Sequence, residues 1–218
     1  MPPPIVFVFI IIFVCVLVYG FIAAQKRRQA LRAVASRLGF LFYAGRDRNL
    51  AYRYDFIDKC HQGRDRYAYN ILSGNYRGRE VKVFDFHYKT GHGKNTRHHH
   101  LSFALMEMKV VFPELKISPE GIFSKIGQAL GYDDIDFESH EFSRKFCVRS
   151  KNKKFAYDIC NAKMIEYLLS NTNLNIEIEN NVLAIFFNRR LAPELIEPNL
   201  NRLLEIRSLI PEYVFDRR

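Results

Sequence analysis

The sequence predicts an α+β protein, with one N-terminal transmembrane helix followed by a largely antiparallel sheet domain with packed helices. Three observations predict it. Residues 5–24 contain no charged side chain. Beyond residue 38, segments rich in aromatic and β-branched residues recur, as strands require. Short turn-like connections join them, which suits antiparallel hairpins and not the long crossovers of a doubly wound sheet.

The first element reads IVFVFIIIFVCVLVYGFIAA. As a helix its twenty residues span roughly 30 Å, the thickness of a bilayer core. Backbone groups in lipid must pair within their own segment, so a helix is the form expected. A cleaved signal peptide would begin with basic residues and carry a shorter apolar run. Here Met1-Pro2-Pro3-Pro4 precedes the run, and Cys15 follows Phe13-Val14, unlike a lipoprotein site. Residues 1–25 are therefore expected to form a retained anchor.

Residues 26–38 are expected to continue it as a juxtamembrane amphipathic basic helix. Ala30, Leu31, Val34, Ala35 and Leu38 recur at spacings of three and four, the signature of one apolar face. Gly39 supplies the stop. Lys26, Arg27, Arg28, Arg32 and Arg37 flank the span on this side only. Basic flanks stay inside, so the N-terminus should lie outside the cell membrane and residues 39–218 in the cytoplasm.

Residues 39–218 contain no linker rich in Pro, Gly or Ser and read as one domain. A short strand is expected at 40–43, then a helix to residue 54 capped by Asp47. Strands are expected over 67–73, 81–88 and 101–108, with Asn75-Tyr76-Arg77-Gly78 and the glycine-rich tip at 90–95 as connections. Residues 112–117 give a further strand. Ser118-Pro119 predicts a helix start running to residue 130. An acidic irregular stretch follows, then a helical turn at 141–145 feeding a strand at 146–149. Asn161 is expected to cap a helix to residue 169. Residues 175–179 and 182–188 predict a hairpin around Asn180-Asn181. Pro193 opens a final helix to residue 208, whose core side is Leu195, Ile196, Leu200, Leu203, Leu204 and Ile206.

The formal net charge is +10, unevenly spread. Residues 25–109 hold 18 Lys and Arg against 7 Asp and Glu, a balance of +11; residues 110–218 balance at −1. This change marks a possible sub-boundary near residue 110. A basic region beside an anchor points to anionic lipid headgroups, each surface cation contributing roughly 1 kcal/mol. Nucleic acid is disfavoured for a tethered domain, although arginine and tyrosine interleave from Arg46 to Tyr88. The expected partners are thus the bilayer, its anionic headgroups and an unidentified protein.

Four of the seven histidines fall within 92–100. On a strand His98 and His100 share a face, and with His92 they are the candidate metal ligands. Lys94 and Arg97 disfavour a cation there, so no metal or other cofactor is expected. Gly91–Thr96 does not match a phosphate loop, because Tyr88 and Asn95 stand where that pattern needs glycine and Ser or Thr. Asp134-x-Asp136-x-Glu138 opens like a calcium loop but has Ser139 and Lys145 at the decisive positions. The alternative to a non-catalytic binding domain is a tethered hydrolase or metal enzyme. It would use the histidines and the segment 133–141, with Asp134, Asp136, Glu138 and Glu141 as its acid–base candidates. The odd count of Cys60, Cys147 and Cys160 outside the span suits buried reduced thiols.

Ile135-Asp136-Phe137-Glu138-Ser139-x-Glu141-Phe142-x3-Phe146-x-Val148 carries a resemblance. So do Ala156-Tyr157-Asp158, Met164-Ile165-Glu166, Gly74-x-Tyr76-Arg77-Gly78-Arg79 and Val83-Phe84-Asp85. At these motifs the chain resembles bacterial membrane-anchored proteins of families of unknown function. The resemblance implies the architecture and brings no catalytic residue with it.

Overall fold

The computed structural model describes residues 4–120 and 135–216. Helix α1 spans Pro4–Leu38 without a break. At 1.5 Å per residue it is about 50 Å long, more than a bilayer core needs. Its apolar segment is long and apolar enough to cross a membrane, and none of it is buried against the domain. The C-terminal turns behave differently. Leu31, Val34 and Ala35 are buried, while Ala30 is exposed. Gly39 ends the helix at a left-handed φ of 68°. Phe40 N–H donates to the Ala35 carbonyl and Gly39 N–H to that of Ser36, which is a Schellman closure. The buried Phe40 ring then packs where a Cβ on Gly74 would come within 2.4 Å of it.

The strands are β1 (Leu41–Tyr43), β2 (Arg64–Tyr76), β3 (Arg79–Thr90), β4 (Arg97–Pro119), β5 (Phe146–Arg149) and β6 (Asn175–Phe187). All pairings are antiparallel, in the order β1-β2-β3-β4-β5, with β6 on the other side of β4. Helices α2 (Arg48–Arg53) and α3 (Asp58–His61) lie between β1 and β2 in sequence. Helices α4 (His140–Lys145), α5 (Lys153–Ile159), α6 (Ala162–Ser170) and α7 (Ile196–Leu209) follow β4. Asp47, Ser139, Asn152 and Asn161 cap α2, α4, α5 and α6 through their side-chain oxygens.

Both faces of the sheet are covered. One carries the larger core, which joins Leu31 and Val34 to Leu72, Val83, Leu168 and Leu200. The other packs Leu50, Tyr54 and Ile57 against Phe84, Phe86 and Phe103. The predicted α+β class with an antiparallel sheet is what forms.

Several elements differ from expectation. The hairpin around Asn180-Asn181 does not exist: both halves belong to β6 and pair along β4, Phe112 opposite Asn180. Asn180 sits at φ 51° and kinks the strand, matching irregular register in β4 between Glu107 and Leu115. The segments at 101–108 and 112–117 are accordingly one bent strand, so the charge boundary near residue 110 falls inside β4. Ser118 and Pro119 close β4 opposite Cys147 and Phe146 and do not begin a helix. Proline's missing donor is tolerated at such a strand end. The rest of that predicted helix lies outside the described residues. Helices α3 and α5 were not expected. Leu195 is exposed in a 3-10 turn, Pro193–Leu195, that precedes α7.

Candidate functional site

The pleat of β3 places Val81, Val83, Asp85 and His87 on one face. Helix α1 lies along it: Val34 and Leu31 share a core with Val81 and Val83. One turn nearer the apolar segment, Arg27 meets Asp85. Arg27 Nη2 donates to Asp85 Oδ1 at 2.7 Å and Nε to Oδ2 at 3.0 Å. This is the bidentate geometry that suits guanidinium. Nη2 also donates to the Leu191 carbonyl at 2.9 Å. Asn70 Nδ2 donates to Oδ2 at 2.9 Å and Ser102 Oγ to Oδ1 at 2.6 Å. The Leu191 N–H donates in turn to Ser102 Oγ. Asn70 reaches the carboxylate because it occupies an irregular point of β2 at φ 51°. Asp85 is 3% exposed and Arg27 16%. The pair is a buried ion pair whose lone pairs are filled, the one form in which such a pair is sustainable. Arg27 follows Ala24 by three residues, so the uncharged run is separated from the sheet by less than one helical turn.

Of the other predicted surface cations, Lys26, Arg28 and Arg32 are exposed. Arg32 lies over the Phe42 ring at 5.8 Å, and Arg37 pairs with Glu197 at 3.0 Å. Arg27 is turned inward and is spent on the network.

Beyond Asp85 on the same face comes an aromatic column. The Arg46 guanidinium stands 4.6 Å from the Tyr67 ring, and Tyr67 stacks on His87 at 4.5 Å. His87 Nε2 and His98 Nδ1 are 3.0 Å apart, and His100 Nδ1 bonds the Tyr69 hydroxyl at 2.9 Å. His98 and His100 do share a face, as the strand pattern predicts, and the third imidazole beside them is His87. His92 lies apart, exposed at the β3–β4 tip. Desolvation, complete enough to bury His87 and only partial at His100, holds both below the ordinary imidazole range, aided by the neighbouring histidines. Burial, with Asp85 nearby, raises the Tyr69 hydroxyl to about 12. Neutral imidazoles near pH 7 suit stacking and hydrogen bonding. Among the described residues no group of three or more His, Cys, Asp or Glu side chains is arranged to hold a metal ion.

The acidic candidates do not converge. Asp134 lies outside the described residues. Asp136, Glu138 and Glu141 are exposed. Glu141 pairs with Lys145 at 2.7 Å along α4, Ser139 caps that helix, and the Asp136 carbonyl accepts from the Tyr157 hydroxyl. Of these carboxylates, that of Glu141 has a structural task.

A second ion cluster lies on the opposite face. Lys116 pairs with Asp58 at 2.7 Å and with Glu114, and sits 3.9 Å from Glu177. Glu177 is 1% exposed. Its Oε1 accepts from the Asp58 N–H, while Oε2 has no partner. Burial pushes the Glu177 carboxyl up to about 8, against the pull of Lys116. Residue patterns did not reveal either cluster. Asp85 and Glu177 alternate with apolar neighbours, which normally marks a solvent face. The one available signal was Asp85 within Val83-Phe84-Asp85.

No protein-family model and no curated protein matches the chain. Among solved structures, the chain is similar to the crystal structure of the mycobacterial trehalose monomycolate transport factor A, TtfA. The two superpose with a TM-score of 0.60 over 86% of this chain and 96% of that one, at 14% sequence identity. At that identity the likeness shows a shared fold and nothing further.

Proposed function

We propose that the chain is a single-pass membrane protein, N-terminus outside, whose cytoplasmic domain is a non-catalytic binding module held against the inner leaflet. One observation carries the reading: the uncharged run and the helix locked onto Asp85 are a single unbroken helix. A domain mounted within one turn of a span lies in the headgroup layer. Lys26, Arg28 and Arg32 are exposed on the stalk, with Lys94 and Arg97 at the β3–β4 tip. Along β3 the order Val81, Val83, Asp85 runs toward the apolar end of α1, so that tip lies on the membrane side. Anionic lipid is the partner such cations favour. The similar fold of a transport factor supports a binding role beside an unidentified membrane protein. The scatter of the acidic candidates speaks against a hydrolase.

Two measurements test this. In right-side-out vesicles the domain should resist added trypsin, and in inverted vesicles it should be digested; the reverse pattern overturns the orientation. For lipid contact, an environment-sensitive dye on Asn95→Cys of the reconstituted full chain should shift in phosphatidylglycerol but not in phosphatidylcholine. High salt should abolish the shift. Indifference to lipid charge would end the headgroup reading.

A further inference from the structure

The end of β6, the turn after α6 and the start of α7 enclose a cleft of about 970 Å³. Its charge is one-sided. Arg189, Arg190 and Arg202 line it, and its described lining contains no Asp or Glu. Arg189 and Arg190 are exposed, and no ion pair with either is found among the described residues. These three cations belong to the half of the chain whose overall balance is −1, so bulk composition conceals them.

Arg202 is aimed by a buried residue. Asn199, 1% exposed, donates Nδ2 to the Leu195 carbonyl and accepts from Arg202 Nη1 at 3.0 Å. Asn175 also lines the cleft and is 5% exposed. Its Nδ2 makes one long bond to the Phe186 carbonyl, and its Oδ1 has no partner. The wall also has apolar members, including Leu174, Leu191 and the exposed Leu195. Leu191 is the residue whose carbonyl accepts from Arg27, so the cleft adjoins the point where the anchor helix meets the sheet.

We infer that this cleft binds a phosphate ester, with its phosphate on Arg189, Arg190 and Arg202. Guanidinium forks match phosphate oxygens in pairs. The described lining offers three guanidinium groups and no carboxylate, which suits an anion. A glycerophosphate headgroup is such an ester. It can come from a lipid or from a free glycerol phosphate, and the apolar wall favours the lipid. The proposal goes beyond the stalk cations of the proposed function and stands on different residues.

The test titrates the detergent-solubilised full chain with dihexanoyl phosphatidylglycerol, dihexanoyl phosphatidylcholine and sn-glycerol 3-phosphate by calorimetry. Saturable binding of phosphatidylglycerol over phosphatidylcholine is expected, weakened by about tenfold or more in Arg189→Ala/Arg190→Ala. Both arginines are exposed, so that variant should keep the wild-type melting temperature. Arg202→Lys, which keeps charge but loses the fork, should weaken binding as well. Arg28→Ala/Arg32→Ala should leave it within about twofold, separating this site from the stalk. Binding of glycerol phosphate as tight as that of the lipid would support the site and assign the free ester. Absence of saturable binding to either phosphate ester, or equal binding by wild type and Arg189→Ala/Arg190→Ala, would overturn the proposal.

Discussion

Asp85 and Glu177 are carboxylates buried to the same degree in one sheet, on opposite faces, and their surroundings treat them in opposite ways. Asp85 receives four donors on two oxygens, two of them from a guanidinium. Glu177 receives a backbone N–H and a lysine at 3.9 Å shared with two other carboxylates, and one of its oxygens is unmatched. Equal burial therefore leaves the two carboxylates very differently matched, by the number and placement of their donors. The fully matched site ties the anchor helix to the sheet, and the under-matched one merely lies beneath α3.

The largest test of that contrast removes the matched carboxylate. Asp85→Ala leaves Arg27 partly buried without its counter-ion, a change that costs about 3–5 kcal/mol. Chemical denaturation of the detergent-solubilised chain should show it as a lower midpoint. An unchanged midpoint would mean that the network does not hold α1 to the sheet.

A smaller effect, opposite in sign, is expected at Glu177. Its folded pKa of about 8 lies above the ordinary 4.5, so between those values the folded state binds more protons than the unfolded state. Stability from this group is full below pH 4.5 and is lost as pH rises to 8. Glu177→Gln should flatten that part of the stability–pH curve. At pH 9 it should stabilise the chain by about 1–2 kcal/mol, because Asp58 and Glu114 still neutralise Lys116. A variant less stable than wild type at pH 9 would place Glu177 among the matched carboxylates.

The smallest effect belongs to the exposed imidazoles. His98→Ala/His100→Ala should shift stability by no more than about 0.5 kcal/mol per site. Calorimetric titration with Zn²⁺ should give the same result before and after the change. Loss of a Zn²⁺ isotherm in the variant would restore the histidines as metal ligands.

What could be read from residue patterns was local. The uncharged run, Gly39 as a stop, the caps at Asp47 and Asn161, and the strand centres all follow from chemistry within a few residues. What could not be read depends on partners far along the chain. Asn180-Asn181 has turn chemistry, yet β4, some seventy residues earlier, offers ladder partners to both flanks and draws them into one strand. Asp85 and Glu177 look solvent-facing by alternation, and only coverage of both sheet faces turns them inward. Arg27 reads as one of five flanking cations until β3 places a carboxylate one turn beyond Leu31.

An unbroken α1 leaves no hinge between the apolar run and the sheet, so in a bilayer the two turn together. Each residue added between Ala24 and Arg27 would swing the whole domain about the helix axis by roughly 100° and raise it by about 1.5 Å. The bearing of the arginine-lined cleft relative to any neighbour gripping the span is thus set by a count of residues. A twist applied to the helix within the membrane would arrive at the cleft as a change of heading.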